Sequence, residues 1–152
     1  MRKLIIAVVV ALGALGLVAG ALARSNGSYT FKTTLTRGAE VPKPAGAPAK
    51  AGGTFVAKSV EAGSKITIKW TLKFHGLSGK ATAAHIHMGK KGVAGAVVVP
   101  LCGPCKATSS GSAKITSAVE NALEQGKAYV NVHTTKNPAG EVRGQVKLTA
   151  ST

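Results

Sequence analysis

From Ile66 to Phe74 the chain alternates with a strict period of two. Ile66, Ile68, Trp70, Leu72 and Phe74 occupy one face, while Lys65, Thr67, Lys69, Thr71 and Lys73 occupy the other. Successive side chains of an extended strand point to opposite sides, so this pattern demands a sheet with one dry face and one wet face. A helix would scatter those five apolar residues around its axis. The same period recurs at Tyr29–Thr36, with Tyr29, Phe31, Thr33 and Leu35 together and Lys32 opposite. It recurs again at Lys127–Thr134, with Ala128, Val130 and Val132 opposed to Tyr129, Asn131 and His133. Further strands are expected at 54–60, at 83–88 and at 141–148. In the last, Val142, Val146 and Leu148 point inward and Glu141, Arg143, Gln145 and Lys147 outward. Val97–Leu101 is an apolar run of the kind buried on both sides.

Between these strands lie breakers. The segment 40–53 carries Pro42, Pro44 and Pro48 among Gly and Ala, and Asn137-Pro138-Ala139-Gly140 has turn composition. One short helix is expected. Ser117-Ala-Val-Glu120 fits a capping box, Val119 and Leu123 share a face, and Gly126 fits the stop. Strands at this spacing with Gly- and Pro-rich turns predict an all-β, antiparallel sandwich or barrel. There is no internal repeat and no sign of a second domain.

The N-terminus belongs to a different regime. Met1-Arg2-Lys3 precedes 19 uncharged residues, Leu4–Leu22, ending in the small-x-small pattern Ala21-Leu22-Ala23. This predicts a secretory signal peptide over residues 1–23, cleaved after Ala23, with a domain over 24–152. A retained anchor is the other reading, since 19 apolar residues just span a bilayer. Gly13, Gly16 and Gly20 and the Ala-x-Ala end favour cleavage. Export implies an oxidising compartment, where nearby cysteines pair.

Charge and composition narrow the chemistry. The 152 residues include 20 Lys and Arg against 5 acids, a formal net charge of +15. All five acids are Glu: 40, 61, 120, 124 and 141. With no Asp, aspartic dyads, EF-hand loops and Ser-His-Asp triads are excluded. Aromatics make up 4 %, too few for an extended base-stacking surface. The positive charge points to anionic partners such as cell-envelope polymers, lipid head groups or polysaccharide, with simple solubility as the alternative. No nucleic-acid motif accompanies it.

Three histidines are the candidate metal ligands. His85 and His87 lie two apart on one strand face, about 6.5–7 Å along the chain. His133, on the polar face of its strand just before the last hairpin turn, is the natural third. If Val132 pairs with Val142, His133 sits opposite Glu141; a slip by two sets it opposite Arg143. Three imidazoles with a nearby carboxylate suit Cu or Zn by ligand type. His-x-His pairs also occur as plain polar-face residues, and His133 has the alternative of bonding Glu141. His75 follows the Lys face and is expected to be a solvated surface group. Cys102-Gly103-Pro104-Cys105 has the spacing of redox dithiols. The following Lys106-Ala-Thr-Ser-Ser-Gly111 has loop composition and no helical periodicity, so a small disulfide closing a strand end is expected instead.

Taken together, these residues resemble the CHRD domain, a module named from chordin and also found in secreted bacterial proteins. The resemblance rests on Ala84-His-Ile-His87, Gly92-Val-Ala-Gly95, Val97-Val-Val-Pro-Leu101 and Ala128-Tyr-Val-Asn-Val-His-Thr134. It extends through Asn137-Pro-Ala-Gly-Glu-Val-Arg-Gly-Gln145, and Gly38-Ala-Glu40-Val-Pro42 is similar to the family's usual start. It covers about residues 29–149, with the Cys-Gly-Pro-Cys segment a departure. The order His-Ile-His, Val-His, Asn-x-x-Gly-x-x-Arg is also similar, more loosely, to copper/zinc superoxide dismutase. The two resemblances imply a Greek-key sandwich, immunoglobulin-like or dismutase-like, with one short helix. The second implies copper ligands at His85, His87 and His133, with Arg143 guiding an anion. This sequence lacks a bridging His and an Asp for zinc, so at most a mononuclear site is implied. The expected protein is an exported, monomeric, non-catalytic binding module, with a copper-dependent enzyme as the alternative. A third reading is an envelope or protein-partner adhesion module without metal. Glu141 and Arg143 are expected to support or rim the histidines.

Overall fold

The computed structural model describes residues 27–152; the expected leader, residues 1–23, lies outside the described residues. Nine strands and one helix follow in order. They are β1 (Ser28–Thr36), β2 (Gly52–Ala62), β3 (Lys65–His75), β4 (Ala81–Met88), β5 (Val97–Cys102), β6 (Thr108–Ile115), α1 (Ser117–Glu124), β7 (Ala128–Thr134), β8 (Val142–Gln145) and β9 (Lys147–Ser151). All pairings are antiparallel, in the order β5-β4-β7-β8-β1-β2-β3-β6, with β9 also on β1. The sheet curls until its two edges, β5 and β6, come near each other, giving a nearly closed Greek-key barrel.

The alternation delivers the core it promised. Ile66, Ile68, Trp70 and Leu72 of β3 are buried, and Lys65, Lys69 and Lys73 are exposed. They meet Phe31 and Leu35 of β1, Phe55 and Ala57 of β2, Ala84 and Ile86 of β4, and Val130 and Val132 of β7. At roughly 1.5–3 kcal/mol for each large apolar side chain buried, this filling is the main source of stability.

Helix α1 covers the core with Val119 and Leu123, and Gly126 ends it at φ +65°. Its cap differs from expectation. The Thr116 hydroxyl, one residue earlier, accepts the Val119 N–H at 3.3 Å. Glu120 does not reach back to a cap. It is fully buried and accepts the Ser59 hydroxyl at 2.6 Å. Burial, with Glu61 and Glu124 nearby, raises the Glu120 carboxyl pKa above its ordinary range.

Three strand expectations are corrected. Residues 106–111, expected as loop, are mostly strand: β6 pairs with β3 from Ile66↔Ile115 to Lys73↔Thr108. Its Ser- and Gly-rich sequence suits an edge where a bulky neighbour needs room, since Gly111 lies against the Trp70 indole. Residues 97–101 are not buried on both sides. Val97 and Pro100 are exposed because β5 is an edge strand, the place where a missing N–H is tolerated. Leu148, expected on the core face, is 38 % exposed, as is Met88 at the end of β4. A register shift between Ile86 and His87 interrupts alternation in β4, and the final strand breaks at Val146 as it passes from β7 to β1.

The Cys102–Cys105 disulfide forms, as expected, at the end of β5. Its loop ties the seam: the Cys105 N–H donates to Ala81 O of β4, and Ala107 O accepts the Phe74 N–H of β3. A strand follows it, so no helix N-terminus is present to activate a thiol.

Gly111→Val tests the seam packing. A Cβ there would sit 2.7 Å from Trp70 Cζ2. The variant should lose roughly 1–3 kcal/mol in chemical denaturation; unchanged stability would show that β6 does not press on the indole.

Candidate functional site

β4 and β7 are neighbours, in the register Ala83↔His133, His85↔Asn131 and His87↔Tyr129. That register brings His85, His87 and His133 together on the outer face of the barrel. His85 Nδ1 lies 3.0 Å from His133 Nε2, and the three candidate ligand atoms all fall within 4.8 Å of one another. At metal–nitrogen distances of about 2.0–2.1 Å, tetrahedral ligand atoms stand about 3.3 Å apart. The set is therefore near coordination spacing, and modest side-chain rotation closes the widest gap.

Two of the imidazoles are oriented by backbone carbonyls. His87 Nδ1 lies 2.8 Å from Gly95 O, and His133 Nδ1 lies 2.9 Å from Pro138 O. A carbonyl only accepts, so each Nδ1 carries the proton and each Nε2 keeps its lone pair. His87 Nε2 is buried and has no partner. An imidazole fixed through one nitrogen and bare at the other is the usual form of a metal ligand. Burial lowers the pKa of His85, reinforced by His133 and His87. Burial also lowers that of His133, with the bond to Pro138 opposing and His87 adding. Both shifts favour the neutral, ligating form.

Behind the histidines stands a stack. The Tyr129 ring lies parallel to His87, with centroids 4.8 Å apart and an interplanar angle of 8°. The Arg143 guanidinium comes from the β8 side to 3.3 Å from the Tyr129 centroid, a cation–π contact. Arg143 is buried, and its Nη2 donates to Lys90 O at 3.0 Å and Val93 O at 2.9 Å. The Tyr129 hydroxyl accepts the Gly95 N–H at 3.1 Å. Arg143 and Tyr129 thus hold the loop between β4 and β5, and that loop supplies the carbonyl that orients His87. A Cβ on Gly95 would overlap Met88 O, which accounts for glycine there. The anion-guiding role implied for Arg143 is corrected: a buried guanidinium committed to two carbonyls does not line an entrance.

The hairpin takes the Val132↔Val142 register, yet Glu141 does not bond His133. Its carboxylate accepts the Ser78 N–H and hydroxyl, each at 2.6 Å, the Thr134 hydroxyl at 2.7 Å and the Asn137 amide at 3.1 Å. Burial alone would raise its pKa, but these bonds outweigh it and hold it below the ordinary value. Glu141 therefore orders the Asn137–Gly140 turn that carries Pro138 O. It supports His133 from one step away. His75 is exposed at the end of β3, as expected.

Glu40 was not a sequence candidate. It sits in the Pro-rich segment, where composition signals only a loop. Its Oε1 accepts the Val41 N–H at 3.0 Å, while Oε2 is buried against Gly140 with the Asn131 amide beside it. Gly140 has φ +130° and no room for a Cβ. Glu40, Arg143 and Gln145 line a cavity of about 250 Å³ under this corner. Burial raises the Glu40 pKa from 4.5 to about 7, against the pull of the Val41 N–H, Arg143 and Asn131.

The model of the CHRD domain matches residues 31–146, which span β1 to Val146 and include every residue of this corner. The chain belongs to the CHRD domain family. Neither a curated protein nor a solved structure matches it. Membership in the CHRD family supports a binding module without naming what is bound. Among the described residues, no helix is long and apolar enough to cross a membrane.

The raised Glu40 pKa gives a signed prediction. The folded state holds this proton more tightly than the unfolded state, so stability is lost as pH rises from 4.5 to about 7. Glu40→Gln should therefore be more stable than wild type at pH 8, by up to about 3 kcal/mol, with the gain vanishing toward pH 4.5. A gain independent of pH in urea titrations would contradict the assignment.

Proposed function

We propose that this is an exported CHRD binding module that holds one zinc or copper ion through His85, His87 and His133. The observation that carries the reading is that backbone carbonyls hold Nδ1 of His87 and of His133, which turns both Nε2 lone pairs outward, that of His87 without a partner and that of His133 3.0 Å from His85 Nδ1. Borderline metals that accept imidazole match this donor set, and hard cations such as Mg or Ca do not. Three neutral protein ligands leave a position open, which a water or a side chain from a bound partner completes. The metal would add a local positive charge and a directed bonding site to an otherwise rigid face. The work of the chain is to present three uncharged imidazoles at near-final spacing, so that little ordering cost falls on binding.

The export reading rests on the basic head, apolar run and Ala-x-Ala end of residues 1–23. The Cys102–Cys105 disulfide fits an oxidising compartment. The arginine that a dismutase-like enzyme would use to guide an anion is here Arg143, which is buried and bonded to Lys90 O and Val93 O. A non-catalytic module is therefore favoured over a copper enzyme.

Titration calorimetry of the mature domain should give one equivalent of Zn or Cu. His87→Ala and His133→Ala should each weaken binding at least about 100-fold, and Tyr129→Phe, which frees Gly95, about 10-fold. Wild-type binding no tighter than that of the folded His variants would overturn the site.

A further inference from the structure

We propose that the outer face formed by β9, β1, β2 and β3 is a docking surface for an acidic polysaccharide. The first observation is where the acids are. Glu40, Glu61, Glu120 and Glu141 are buried, and Glu124 on α1 is only half-exposed. The surface of the described residues is therefore almost wholly cationic. On this face Lys32, Lys58, Lys65, Lys69, Lys73 and Lys147 are all exposed, and no carboxylate lies among them.

The second observation is the register. Lys32 lies directly opposite Lys147, and Lys58 directly opposite Lys69. Like charges in direct cross-strand pairs are destabilising. Two such pairs on one face oppose folding stability, and a polyanion laid across them reverses the sign of that interaction.

The third observation is a groove. Lys32, Lys91 and Lys147 line a cavity of about 530 Å³ together with Thr34, Thr54 and Thr149. Ammonium groups and hydroxyls in one groove match a ligand that carries both anions and hydroxyls. Along β3 the lysines recur every four residues, about 13 Å apart, which suits a linear polymer better than a single small anion.

The occupant is chosen by what the face lacks. Phe31, Phe55 and Trp70 point into the barrel, and Tyr29 and Phe74 pack against its core, so among the described residues these strands present no fully exposed aromatic ring on which bases could stack. Among the described residues the one α-helix, α1, packs Val119 and Leu123 into the core, so it is not presented for insertion into the groove of a duplex. Lysine is a compact point charge that holds a flexible polyanion without fixed geometry, and Arg37 and Arg143 are the only arginines among the described residues.

The test is binding of the metal-free full domain, in EDTA, to polygalacturonate, with dextran and a single-stranded thymidine oligomer as comparisons. EDTA keeps the outcome independent of the histidine site. Wild type should bind polygalacturonate and not dextran, weakening as salt rises. Lys32→Gln with Lys147→Gln should lose at least about 10-fold in affinity and lower the log–log salt slope by about two. It should fold at least as stably as wild type. Lys106→Gln with Lys136→Gln, an equal charge change at exposed positions elsewhere, should lose less than about 2-fold. Equal losses in the two variants, no binding above dextran, or tighter binding of the thymidine oligomer would each overturn the proposal.

Discussion

A β-strand has two faces, and in this barrel the inner one is fully occupied. Phe31, Phe55, Ile68, Leu72, Ile86 and Val130 fill the interior so closely that no polar chemistry has room there except at its ends. Every group able to bind a metal or a polymer is consequently forced outward. The outer surface then divides by what covers it. Over β4, β7 and β8, the segments 37–43 and 89–95 fold down and shield Tyr129, Asn131 and Arg143 from water. On the outer face of β1, β2 and β3 the lysines are exposed. One antiparallel sheet thus carries a sheltered polar corner and an open cationic face.

The sheltered corner works as a chain of support. Buried Arg143 holds the carbonyls of Lys90 and Val93; the loop so held offers Gly95 O; and Gly95 O sets the tautomer of His87. On the other side, buried Glu141 holds Thr134 and Asn137, and the turn so held offers Pro138 O to His133. Each polar group in the chain is bonded to charge or to backbone in a region of low dielectric, where such bonds are strong and their loss is costly. The placement of the histidines is inherited from the arginine and the glutamate behind them.

Much of this was legible in the sequence because period-two alternation is a local signal. The β3 pattern, the shared strand face of His85 and His87 and the final hairpin can be read without knowing the fold, and the Val132↔Val142 register is one of the two that the sequence leaves open. The losses have a common cause. β6 carries Thr-Ser-Ser-Gly-Ser because it pairs at an edge beside Trp70, so its strand character comes from its partner rather than from its own propensity. Val97–Leu101 looks doubly buried, but burial depends on sheet order, and β5 ends the sheet. Glu120 looks like a capping residue until Ser59, 61 positions earlier, is seen beside it. Glu40 carries no local signal at all, since its burial depends on Gly140 and Asn131 a hundred residues away. Long-range contacts decide these cases, and no window of sequence contains them.

In the metal-free protein, the carbonyls of Gly95 and Pro138 already fix His87 and His133 with the proton on Nδ1 and a lone pair on Nε2. Long-range nitrogen–proton correlation spectra of the ¹⁵N-labelled domain at neutral pH read this directly. Both rings should show the Nδ1–H form before metal is added, with a shift confined to Nε2 when Zn is supplied. The Nε2–H form on either ring, or Nε2 resonances unmoved by Zn, would contradict this.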